Sequence, residues 1–117
     1  MKKISVLLAT RQRTKLLDKS IDSLLSNVNN TDNVEIMLGI DNDDQETLDF
    51  VQSEDFQNKM QEEYNVDVQA VLFDRLGYKN LHQYMNQLWA QANGEWLMLW
   101  NDDAIMETKD WDLEIGK

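Results

Sequence analysis

Short apolar runs of strand-forming residues alternate with longer segments whose apolar residues recur at helical spacing. This alternation constrains the fold more than any other feature of the chain. Ile4-Ser5-Val6-Leu7-Leu8-Ala9 is the first run and reads as a buried strand. A polar turn over residues 10–14 follows. Leu17, Ile21, Leu24, Leu25 and Val28 then predict a helix, with Thr14 as its N-cap. Residues 29–33 form a polar loop, and residues 34–40 a second apolar strand. After Asp41-Asn42-Asp43-Asp44 comes a polar helical region over residues 46–64, with a break expected near Ser53. Residues 66–73 make a third strand, alternating at Val66, Val68 and Ala70. Leu81, Tyr84, Met85, Leu88, Trp89 and Ala92 mark the clearest helix, with Trp89 on its core stripe. Gly94 suits a left-handed C-cap, and residues 95–100 form a fourth strand. Residues 104–117 have no pattern that assigns them.

Strands alternating with helices imply an α/β domain with a mostly parallel sheet and right-handed crossovers. At 117 residues, with no linker-like stretch and no repeat, the chain fits one domain. Ligands of such sheets bind beyond the carboxyl ends of the strands. The polar loops at that edge carry Thr10 to Arg13, Asp41 to Asp44, Arg75, and Asn101 to Asp103.

Charge narrows the ligand. The net charge of -11 repels nucleic acid and anionic membranes, so neither is an expected partner. The absence of Cys excludes disulfides and thiolate metal sites. The apolar run behind Met1-Lys2-Lys3 is too short for a secretory leader and is stopped by Arg11-Gln12-Arg13. No run approaches the ~20 apolar residues of a membrane helix, and a cytoplasmic location is expected.

Asp102 and Asp103 are adjacent carboxylates at a strand end. A hard divalent cation relieves their repulsion and takes oxygen ligands. A solvated acidic turn, with one Asp capping the next segment, is the alternative on these residues alone. Asp43 with Glu46 matches a capping box in outline. An EF-hand fails, because position six from Asp41 is Glu46 and position twelve is Gln52. Asp41 is placed to accept from a ribose or a base. Arg11, Arg13 and Arg75 are candidates for local positive charge against phosphate. His82, the only histidine, lies one residue off its helix's apolar stripe and reads as structural or exposed. Trp96 and Trp100 read as packing residues. Trp100 and Trp111 also flank the acidic turn, near enough in sequence for ligand contact.

Taken in order, these segments resemble the family 2 glycosyltransferases, GT-A-fold enzymes with nucleotide-sugar donors. The carriers are Ile4 to Thr10 with Arg13, Leu16-Leu17 and Ser23-Leu24-Leu25; the strand ending in Asp41; Asn86 with Ala92-Asn93-Gly94-Glu95-Trp96; and Leu97-Met98-Leu99-Trp100-Asn101-Asp102-Asp103. Asn101 stands where the family's Asp-x-Asp motif has its first Asp, and Arg11 where it has an aromatic. The resemblance implies a Rossmann-like GT-A nucleotide-binding half. It implies Mn²⁺ or Mg²⁺ held by Asp103, with Asp102 beside it near the ribose or sugar. Thr10, Asp41 and Arg75 would hold the base and ribose of a UDP-sugar. Arg11 would stack on the base, Arg13 would lie at the nucleotide, and Asn101 would bond a hydroxyl.

Family members continue well past this motif, whereas here fourteen residues follow Asp103. Glu107, Asp110, Asp112 and Glu114 are the downstream acids available as a catalytic base. Transfer to an unspecified acceptor is therefore expected to be weak, with donor hydrolysis competing. A binding module without transferase activity, a fragment completed by a partner chain, and an acidic interaction domain are the alternatives. A half-length sheet leaves apolar surface uncovered, so a homodimer is also expected.

Overall fold

The computed structural model describes residues 4–73 and 81–114, excepting the side chains of 81–85 and 114. Arg75 and the side chains of His82 and Glu114 lie outside the described residues. The strands are β1 (Ile4–Thr10), β2 (Val34–Asp41), β3 (Asp67–Phe73) and β4 (Trp96–Leu99). The helices are α1 (Thr14–Ser26), α2 (Gln45–Gln52), α3 (Glu54–Asn58), α4 (Leu81–Gln91) and α5 (Trp111–Glu114). A single 3₁₀ turn at Thr31–Asn33 precedes β2, and a π-helical turn at Lys59–Glu63 continues α3. The strands form one sheet in the order β3-β2-β1-β4, and every pairing is parallel.

The period of two divides the strands between two cores. Ile4, Val6 and Leu8 of β1 pack with Val34, Ile36, Leu38 and Ile40 of β2 beneath α1, α2 and α3. Leu7 and Met37 turn the other way and pack with Phe73 and with Leu88 of α4. All eight residues of β2 are buried. A strand covered on both faces has no need of the apolar–polar alternation of a half-exposed one. α1 buries Leu17, Ile21, Leu24 and Leu25 on one stripe. Each such side chain contributes about 1.5–3 kcal/mol relative to exposure. The expected break at Ser53 is real. Its own backbone amide donates to the Phe50 carbonyl to close α2, and its hydroxyl accepts from the Phe56 amide to start α3.

Several details differ from the sequence reading. Thr14 is the first residue of α1 rather than its cap, and Arg13 holds the cap position without a side-chain bond. The turn out of β1 is so short that the Arg13 carbonyl already accepts from the Leu17 amide. Trp89 is 61% exposed, because α4 meets the sheet through Leu88 and Ala92 and Trp89 lies off that line. Trp111 is a core residue, not a neighbour of the acidic turn. It packs against the α1 side of the sheet and donates its indole N–H to the Leu24 carbonyl at 2.8 Å.

Gly94 is not left-handed. It is required by close approach instead. A Cβ there would come within 2.6 Å of the Ser5 amide nitrogen and Oγ. The Gly94 amide donates to Ser5 Oγ, which donates to the buried Glu35 carboxylate at 2.6 Å. Glu35 also accepts from the Asn93 backbone and side-chain amides, so the α4–β4 turn is fastened onto the centre of the sheet.

The segment after β4 runs as a strap along α1. The Ser20 hydroxyl donates to the Asn101 carbonyl, the Met106 amide to Ser23 Oγ, and the Asp110 amide to the Asn27 carbonyl. The strap ends with Asp112, fully buried, accepting from the Asn29 and Asn30 amides and from Asn33 Nδ2. Burial alone would raise the Asp112 pKa, but these donors outweigh it and hold the carboxyl below the ordinary aspartate value.

Two predictions follow from this packing. Gly94→Ala destabilises the fold by about 1–3 kcal/mol, measured by urea denaturation, because the obstructing atoms are largely backbone. Asp112 has a lowered folded pKa, so its stabilisation is complete above the unfolded value and is lost as pH falls through the folded one. Asp112→Asn therefore lowers stability at neutral pH by about 1–3 kcal/mol. It also flattens the decline below about pH 4 seen in the parent.

Candidate functional site

The connection from β1 leads to β2 on one side, while α4 returns the chain to β4 on the other. The carboxyl ends of β1 and β4 therefore flank the switch point of the sheet, where ligands of such folds bind. Thr10 ends β1, Asp41 ends β2, and Asn101 to Asp103 follow β4. Topology thus brings to one edge most of the residues singled out in the sequence: Thr10, Arg11, Arg13, Asp41, Asn101, Asp102 and Asp103.

Side-chain bonds tie these loops together. Thr10 Oγ1 donates to Asp102 Oδ2 at 2.9 Å, directly across the crevice between β1 and β4. Arg13 reaches the other oxygen, Oδ1, at 3.4 Å. Asp102 is 8% exposed, with both carboxylate oxygens engaged. Asp103 and Asn101 are exposed in the tight turn that the Ala104 amide closes on the Asn101 carbonyl. Arg11 lies over the end of β2, 2.9 Å from the buried Asp41 and 2.6 Å from Asp43. The hydrogen bonds it donates to Asp43 and then Asp41 outweigh desolvation and raise the Arg11 pKa further, so the guanidinium stays charged. Half of the Asp43 side chain is solvent-exposed. Solvent-exposed ion pairs of that kind contribute little to stability.

Asp44 is the residue at this edge that sequence reasoning missed, having given the cap to Asp43. The cap of α2 is Asp44 with Thr47, one residue beyond the Asp43–Glu46 pair. Asp44 is fully buried, and its Oδ1 accepts from the Thr47 amide. Its Oδ2 accepts from Thr47 Oγ1 at 2.6 Å and from the Gln12 amide at 2.8 Å. Gln12 itself sits at φ 52°, a left-handed conformation uncommon for a residue with a side chain. One carboxylate thus starts α2 and holds the strained turn that aims Arg11 and Arg13. The signal was present as Asp44-x-x-Thr47, but Asp43-x-x-Glu46 overlaps it and fits the capping box better.

The tail acids are dispersed. Glu107 is exposed on the strap. Asp110 and Asp112 lie past the far end of α1, beside residues 27–33 that lead into the amino end of β2. The thirteen residues of α1 separate them from the carboxyl edge by about 20 Å. Asp112 is moreover committed to the loop before β2.

Among the described residues, no three His, Cys, Asp or Glu side chains gather into a group able to hold a metal ion. Asp103 is the exposed member of the acidic pair, and a single carboxylate is within the usual requirement of Mg²⁺ when phosphate and water complete the shell. No helix among the described residues is long and apolar enough to cross a membrane. Neither a scan against protein-family models nor a search of curated proteins returns a match for this chain.

The Asp44 arrangement predicts that Asp44→Ala destabilises the protein by about 1–2 kcal/mol through loss of the cap. The same variant leaves the Gln12 amide only its longer bond to Thr47 Oγ1 at 3.2 Å, so it exchanges with deuterium faster than in the parent. Unchanged protection of Gln12 would show that Asp44 does not hold the turn.

Proposed function

We propose that this chain binds the diphosphate of a nucleotide sugar, most simply a UDP-sugar, across the β1–β4 crevice in the manner of a GT-A glycosyltransferase. The observation that carries this reading is the Thr10–Asp102 bond across the switch point, with Arg11, Arg13, Asp41 and Asp103 around it. The base and ribose fit beside Thr10 and Asp41, where Arg11 offers a planar cation to a base or a fork to phosphate. Asn101 is exposed and offers an amide to a sugar or ribose hydroxyl.

Charge balance calls for a cation. Among the described residues, the edge carries Asp41, Asp43, Asp44, Asp102 and Asp103 against Arg11 and Arg13. Five carboxylates and two guanidiniums leave the surface negative, and a diphosphate adds to the repulsion. Mn²⁺ or Mg²⁺ at Asp103 would neutralise the charge that grows on the departing nucleoside diphosphate. Asp102 would serve less as a ligand than as the brace that fixes the turn presenting Asp103.

Transfer to an acceptor also needs a base. Of the tail acids whose side chains are described, Glu107 alone is not tied to the far end of α1. The course of the strap therefore favours a second reading, in which the chain binds the donor and either hydrolyses it slowly or does not turn it over.

Calorimetric titration with UDP and UDP-sugars tests the proposal. Binding is expected in Mn²⁺ and is at least about tenfold weaker in EDTA. Asp103→Ala should abolish the metal dependence while changing stability by no more than about 0.5 kcal/mol, as for an exposed polar residue. Equal affinity with and without the cation, or full metal dependence in Asp103→Ala, would sink the cation role. Incubation with donor and simple sugar acceptors, followed by separation of free sugar from transfer product, decides between transferase and binding module.

A further inference from the structure

β4 is an outer strand of the sheet, and it carries neither charge nor Pro. These are among the devices by which edge strands are kept from pairing with other chains. Its inner side is used, since the Trp100 amide donates to the Leu7 carbonyl at 3.0 Å. Successive residues of a strand direct their amide and carbonyl to opposite sides. Trp96 and Met98 therefore address β1, as Trp100 does, while Leu97 and Leu99 present both groups outward. Among the described residues no strand pairs with that side. The side chains there are exposed too: Trp96 by 48%, Leu97 by 38% and Leu99 by 64%.

The sequence of this edge reads the same in both directions, Trp96-Leu97-Met98-Leu99-Trp100. We infer that two copies of this chain pair antiparallel along β4, about a two-fold axis at Met98, and join their sheets into one. In this register Leu97 lies opposite the partner's Leu99, and symmetry repeats the pair. Both are hydrogen-bonded positions, so every outward amide and carbonyl of Leu97 and Leu99 is satisfied. Met98 meets the partner's Met98 at a non-hydrogen-bonded position, where Cα atoms approach to about 4.5 Å. Trp96 faces the partner's Trp100, an aromatic cross-strand pair on the α1 side.

Electrostatics permit this pairing. Two copies at -11 each repel wherever acids meet. The β4 register places Glu95 opposite the partner's Asn101, so no acid faces an acid. An isologous contact closes on itself, so it ends at a dimer rather than a filament. This pairing does not depend on the nucleotide reading.

The chain has no Cys, so Met98→Cys introduces one thiol per copy at the proposed axis. Mild oxidation should convert the full chain to a disulfide-linked dimer, while Leu113→Cys, exposed on α5, cross-links much more slowly. Sedimentation of the parent should show a dimer at micromolar concentration. Leu99→Lys, at an exposed position, should keep the circular dichroism of the parent and raise the dimer dissociation constant about tenfold or more. A parent that sediments as a monomer or as open-ended aggregates overturns the inference. So does a dimer unaffected by Leu99→Lys, or Met98→Cys that cross-links no faster than Leu113→Cys.

Discussion

A carboxylate can leave water only where hydrogen-bond donors replace it, and this acidic chain meets that condition at its loop junctions. Glu35 holds the α4–β4 turn, Asp44 the β1–α1 turn and the start of α2, Asp102 the ends of β1 and β4, and Asp112 the loop before β2. In each case one side chain accepts from two or more groups, at least one of them distant in sequence. No buried side-chain nitrogen or oxygen among the described residues lacks a partner. The parallel sheet supplies the frame, but these acids fix how its ends are connected. Removing any one of them leaves several donors unpaired together, which costs more than the loss of a single bond.

The same economy shapes the candidate site. Acids that brace loops are not free to act elsewhere, so burial sorts the carboxylates of the edge by role. Asp44 and Asp102 brace, Asp41 accepts from Arg11, and Asp103 faces water. The arginines are likewise held by acids, Arg11 by Asp41 and Asp43 and Arg13 by Asp102. Away from this edge, Lys59 illustrates the structural use of charge. Burial pulls its pKa down, yet the bonds to Asp18 and Asp22 outweigh that and raise it, fastening the end of α3 to α1.

Periodicity and spacing determined much of this protein. The strand runs from Ile4, Val34, Val66 and Glu95 appear within about a residue of their observed starts, as does the break at Ser53. Strand–helix alternation was enough to assign a parallel sheet and to place Thr10, Arg11, Arg13, Asp41 and Asn101 to Asp103 on one edge. That succeeds because side-chain period and crossover handedness are local or topological rules, independent of packing detail. Only the tertiary structure decided which carboxylate does what. Asp43 and Asp44 are neighbours of the same type, and Asp44 caps α2 because the Gln12 amide, thirty-two residues earlier, reaches it. Gly94 owes its place to Ser5 rather than to its own backbone angle, and Trp89 is exposed although it continues the apolar stripe. Asp110 and Asp112, close to Asp103 in sequence, are carried past the far end of α1 by a strap whose course depends on Ser20, Ser23 and Asn27. These outcomes rest on contacts between segments far apart in the chain, and the spacing of residues along one segment does not encode them.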